Sequence, residues 1–191
     1  MTTRITSLIH TTTTSILRLV LLSSLVTAPL FAADSAATNH SAHHKAPSAL
    51  VQQVRAGTKQ YIDVNNATAA GYGSFLGCVA GTDHGAMGVH YVNGTLLSSL
   101  TLDPAQPQAL IYEPFNGKMT LVGVEFILDS ASWLAANNNT PPVLDGQVFT
   151  FVDAPNRFNI NSFFELHVWA WRDNPQGAFV DWNDHVTCDG Q

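Results

Sequence analysis

The sequence predicts a mainly β domain of the α+β class: an antiparallel sheet, curled or closed into a small barrel, packed by one N-terminal helix. Three observations predict it. The runs 86–92, 108–113, 118–128, 148–152 and 162–172 are rich in Val, Phe, Tyr, Trp and Ile and are bounded by Gly, Pro, Asn and Asp. They are joined by short turns, such as Pro114-Phe115-Asn116-Gly117, where Asn-Gly tolerates positive φ at both turn positions. A single stretch with three-four apolar spacing precedes them all. Successive strands with short connections favour antiparallel pairing.

The elements follow in chain order. Arg4 and Arg18 flank an apolar run over 19–26, and the segment ends in Ala28-Pro29-Leu30-Phe31-Ala32-Ala33. A positive flank, a short apolar core and small residues describe a signal peptide over 1–32, and the run is too short to span a bilayer. The mature chain is therefore expected in the periplasm or secreted, with no membrane span after cleavage. Residues 33–47 hold almost no bulky apolar side chains and read as a disordered linker. His40, His43 and His44 in it are either a metal-scavenging tract or part of a polar spacer. Residues 48–191 form a single globular domain.

Within that domain a helix is expected over 48–70. Val51, Val54, Thr58 and Ile62 follow its spacing, Ser48 caps it, and Gly71 with Gly73 stops it. The strand runs come next. Ser130 opens a short helix, 137–142 is loop, and Asn174-Pro175-Gln176-Gly177 is a turn.

Charge bounds the partners. Without the leader the chain carries 6 Lys and Arg against 14 Asp and Glu, a formal charge of −8. Such a surface repels phosphate backbones, so nucleic acid is excluded as a partner and a metal ion or neutral small molecule is favoured. Cys78 and Cys188 are the only cysteines. In an oxidising compartment an even pair points to a disulfide, with a catalytic thiol as the alternative.

Three strand-like segments each carry one metal-competent side chain: Gly88-Val89-His90-Tyr91, Gly123-Val124-Glu125-Phe126 and Leu166-His167-Val168-Trp169. Burying an imidazole or carboxylate in such surroundings costs on the order of several kcal/mol unless the group is paired or ligated. His90, Glu125 and His167 are thus candidate ligands of a divalent transition metal, with zinc, copper and iron all suited to mixed imidazole and carboxylate ligation. His84, in the loop ahead of the His90 run, is a candidate fourth ligand. For Glu125 the competing explanation is an ion pair with Arg172 or Arg157. For His167 it is a buried hydrogen bond. Glu113 is set aside: hairpin pairing puts it roughly 13–20 Å from Glu125. A metal-free alternative keeps the same region as a small-molecule pocket lined by Tyr91, Phe126, Trp169 and Trp171. Whether the chain is an enzyme stays open, because phosphate loops, dinucleotide fingerprints, nucleophile elbows and His-Glu-x-x-His helices are all missing from the sequence.

From Ala69 to Cys188 the chain resembles a family of uncharacterised exported bacterial proteins. The likeness lies in Met87-Gly88-Val89-His90-Tyr91-Val92-Asn93, Leu102-Asp103-Pro104, Leu110-Ile111-Tyr112-Glu113-Pro114 and Gly123-Val124-Glu125-Phe126. It continues in Glu165-Leu166-His167-Val168-Trp169-Ala170-Trp171 and Trp182-Asn183, where Asp184 replaces an expected Pro. The resemblance implies export and points to His90, Glu125 and His167. It implies no activity, substrate or metal.

Overall fold

A computed structural model describes residues 47–191. The expected leader over 1–32, and the tract with His40, His43 and His44, lie outside these residues.

Ser48 caps α1 (Ala49–Thr58), its Oγ accepting the Val51 N–H at 3.3 Å. The expected stripe is the buried one: Leu50, Val51, Val54 and Thr58 face the core. The single helix expected over 48–70 is broken, however. A 3-10 turn follows at Lys59–Ile62, and Asp63 restarts the chain as α2 (Val64–Ala69) by accepting the Asn65 N–H. Gly57 is a packing requirement as well as a weak helix former, since a Cβ there would lie 2.4 Å from the Ala105 Cα.

The strands are β1 (Tyr72–Ala80), β2 (Ala86–Asn93), β3 (Ala109–Phe115), β4 (Lys118–Asp129), β5 (Val143–Leu144), β6 (Gln147–Val148), β7 (Thr150–Val152) and β8 (Phe163–Val168). Two short helices intervene, α3 (Gly94–Leu97) after β2 and α4 (Ser130–Ala136) after β4. Six strands make one antiparallel sheet in the order β1-β2-β3-β4-β8-β7, and β5 with β6 makes a separate ribbon. The mainly β expectation holds. The sheet is open, with β1 and β7 at its edges, so the barrel alternative is not the form adopted. β1 was not among the expected strands because most of its side chains are exposed and two glycines interrupt it, which leaves no alternation to detect.

α1 and α2 pack one face of the sheet, against Leu110, Tyr112, Val124, Phe126 and Val168. The second face carries a smaller cluster of Ala86, Ile111, Val122, Trp169 and Val186, covered by the C-terminal segment. That segment is anchored by the Cys78–Cys188 disulfide and by Gln191, whose side-chain oxygen accepts the Cys78 N–H at 2.8 Å.

β8 ends at Val168, short of the expected 172. The Trp169 N–H donates to Ala178, while Trp171 and Arg172 both donate to the Val122 carbonyl at 3.1 and 2.9 Å. Val122 is the extra residue of a bulge, because Ile111 pairs with Gly123 but Tyr112 with Leu121. The Ala170 carbonyl in turn accepts from Arg55 of α1. The chain therefore crosses the sheet edge here, leaving Trp169 on the second face and Trp171 on the helix face. Among the described residues no helix is long and apolar enough to cross a membrane.

Candidate metal centre

Strand register alone brings two of the three candidate ligands together. Glu125 of β4 and His167 of β8 are direct cross-strand partners, so their side chains rise from the same face as neighbours. His90 of β2 lies two strands away from Glu125, with Ile111 of β3 as its own cross-strand partner and Ala109 of β3 opposite Glu125. The small side chain of Ala109 leaves the space that His90 and Glu125 reach across. The result is that His90, Glu125 and His167 each offer one ligand atom within 4.8 Å of the others. All three are buried.

His90 Nε2 lies 3.2 Å from Glu125 Oε2. Ligand atoms around one tetrahedral ion stand about 3.3 Å apart at the usual metal–nitrogen and metal–oxygen distances, so this pair already has the required spacing. The His90 and His167 rings meet edge to face, with centroids 5.8 Å apart. Trp169 stacks beside His167 at 6.1 Å and 24°. Gly123 makes room for it: a Cβ there would come within 3.1 Å of the Trp169 ring and 3.0 Å of the Val168 carbonyl oxygen. The Trp169 Nε1–H donates to the Val180 carbonyl at 2.6 Å, which fixes the indole over the site.

His167 is the most unusual residue of the cluster. Its side chain is 1 % exposed, and neither ring nitrogen has a hydrogen-bond partner among the described residues. Asp181 Oδ1 approaches Nδ1 to 3.6 Å, too far for a hydrogen bond. The buried hydrogen bond that would have explained His167 without a ligand is not made.

Two carboxylates that the sequence did not single out border the same imidazole. Glu165, His167 and Asp181 form a second group with ligand atoms within 4.8 Å of one another. Glu165 was legible as sharing a face with His167, two residues before it. Asp181 was not, because it arrives on the loop that folds back after β8.

Protonation follows from burial and proximity. Burial by itself pushes the Glu125 carboxyl up, but His167, the hydrogen bond and charge of His90, and a hydrogen bond from Glu165 outweigh it and hold the group well below the usual carboxylate range. Glu165 goes the other way: burial and then the Glu125 charge raise it to about 10, so it keeps its proton at neutral pH and donates it to Glu125. Burial pushes the His167 imidazole down; Glu125 opposes this, His90 adds to it, Asp181 opposes it, and the outcome is downward. An ionised buried carboxylate beside an imidazole that burial pushes toward its neutral form, which frees one ring-nitrogen lone pair, is the donor set a divalent cation takes.

The proposed competitors for Glu125 are engaged elsewhere. Arg172 pairs with Glu113 at 2.5 Å, and Arg157 lies over the Phe158 and Trp182 rings. Glu113 itself accepts the Thr187 N–H with its other oxygen and stands apart from the metal cluster. His84 is exposed in the turn between β1 and β2 and belongs to neither group. The four aromatic residues expected to line one pocket are divided between two faces. Phe126 and Trp171 pack with the helices, and Tyr91 stacks edgewise on Tyr112 there. Only Trp169 touches the cluster.

No protein-family model matches the chain, and neither a curated protein nor a solved structure does.

Proposed function

We propose that this chain is an exported metal-binding protein that holds one divalent transition-metal ion through His90, Glu125 and His167. The observation that carries the proposal is the imidazole of His167, buried with both nitrogens unpartnered beside an ionised Glu125. Leaving a buried polar group unsatisfied costs about 1–3 kcal/mol, and a metal bond would remove that cost. Zinc, copper and ferrous iron all suit two imidazoles and one carboxylate, and a three-residue set leaves positions open for a further donor. Export is supported by the leader pattern and by the disulfide.

The direct His90–Glu125 contact at 3.2 Å also favours a metal-free hydrogen-bonded pair at the base of a ligand pocket. That alternative leaves His167 without a role. Metal analysis of tag-free mature protein decides between them. Stoichiometric zinc, copper or iron is expected after reconstitution, retained when His40, His43 and His44 are deleted and lost in His167→Ala. Absence of stoichiometric metal in the wild type under each of the three ions refutes the proposal.

A further inference from the structure

Above His90 and Glu125 the second face of the sheet opens into a cavity of about 40 Å³. A single water needs roughly 10–15 Å³ of such space, so there is room for an ion and a small donor group. Among the described residues His90 and Glu125 are the only polar ones lining this cavity, and its other walls are apolar. A cleft of about 310 Å³ adjoins it, sharing Phe75, Val92, Ile127, Ile160 and Phe163, and ends at Asp129 and Asn161.

The rim is unusually apolar for exposed surface. Phe75, Leu76 and Ile160 are 41 %, 52 % and 40 % exposed, and all three line the cavity. Scattered exposed apolar residues need no explanation, but a contiguous set around a buried polar floor marks a ligand site. Leu76 also sits at φ 58°, in the left-handed region that a branched side chain seldom adopts, within the β1 bulge between Phe75 and Val79.

We propose that this cleft binds a small amphiphile whose carboxylate head ligates the metal and whose alkyl tail lies along the apolar groove toward Asp129. The proposal rests on the metal assignment above. Charge selects the head group: a divalent ion with one ionised carboxylate and two neutral imidazoles keeps a net charge of about +1 toward the cavity, which Asp181, 36 % exposed beside His167, does not line, and in low dielectric an anion there gains most. Geometry selects the tail. From Glu125 to Asp129 the strand rises four residues, about 13 Å, the reach of a medium-chain acyl group.

The test titrates octanoate and acetate into zinc-loaded protein by calorimetry, after zinc affinity has been measured alone. Octanoate is expected to bind at least about tenfold more tightly than acetate, because each methylene buried contributes about 0.8 kcal/mol. Ile160→Ser, at an exposed position on the rim, is expected to weaken octanoate at least about threefold and leave zinc affinity unchanged. Equal affinity for octanoate and acetate overturns the amphiphile and leaves the metal assignment standing. Octanoate binding equally well to zinc-free protein overturns the role of the metal in holding the head group. Failure of zinc to bind in the first titration refutes the metal assignment itself.

Discussion

Replacing His167 with leucine separates the requirements of the metal from those of the fold. In the metal-free protein His167 contributes two buried nitrogens without hydrogen-bond partners and packs against Trp169. An unsatisfied buried polar group costs about 1–3 kcal/mol, and replacing it by an apolar side chain of similar volume removes that cost. With a chelator present, His167→Leu is therefore expected to be as stable as the wild type or more stable by about 1–3 kcal/mol. That is unusual for a substitution at a 1 % exposed position, since most core changes destabilise. With zinc the order reverses. A ligand at a hundred times its Kd stabilises the native state by about 2.7 kcal/mol, and the variant forfeits this. Urea denaturation followed by tryptophan fluorescence, with chelator and with zinc, measures both. Loss of several kcal/mol in the chelated variant would show that the imidazole already stabilises the metal-free fold, as a partner of Glu125 or through a satisfied nitrogen, and the reasoning would fall.

Three further outcomes follow from the same contacts. Because Glu165 titrates near 10 when folded and near 4.5 when unfolded, the native state binds one more proton between those values, and stability falls as pH rises. Between pH 7 and 9 the metal-free wild type should lose at most about 2.7 kcal/mol to this group, and Glu165→Gln should lose none of it; equal slopes in urea titrations would contradict the assignment. Removing the disulfide as the Cys78→Ser, Cys188→Ser pair, which frees a loop spanning a separation of 110 residues, should cost about 4–5 kcal/mol in the chain-entropy model, read from the urea midpoint. Arg172→Met strands the buried Glu113 carboxylate and should destabilise by about 3–5 kcal/mol, while the double variant with Glu113→Leu should recover most of that; no recovery would mean that the pair is not the cause.

Much of this was legible because it rests on short-range rules. Runs of β-branched and aromatic residues bounded by turn residues located β2, β3, β4 and β8, the run 148–152 is divided between β6 and β7, Asn116-Gly117 located the β3–β4 turn, and apolar neighbours marked Glu125 and His167 as buried. What was not legible depended on the chain leaving its local pattern. The stretch Trp169-Ala170-Trp171 keeps a strand-like composition, yet its backbone bonds go to Ala178 and to the Val122 bulge, which sends the two indoles to opposite faces. Alternation counted through that break would set Trp171 on the His167 face, two positions beyond Trp169. Tyr91 and Phe126 were grouped with their neighbours His90 and Glu125 in sequence, although adjacent strand residues point apart. Asp181 is joined to His167 only by the returning loop, a contact with no sequence periodicity to announce it.

The rest of the molecule gives the His167 cluster its weight. Elsewhere this fold satisfies its buried polar side chains closely. Asn183, fully buried, donates to the Asp173 carbonyl and accepts from His185; Gln108 donates to Thr101 and accepts from Ile127; Thr58 donates to Val54 and accepts from Trp171. Glu113 has both an arginine and a backbone N–H. Among the described residues only the two nitrogens of His167 are buried without a partner. A fold that pairs the other such groups among its described residues has the means to pair this one, and Asp181 stands 3.6 Å away without closing the distance. A lone orphan set among three carboxylates and a second imidazole fits a position kept open for a cation, and a retained imperfection would not be expected to gather four other metal-competent side chains around it.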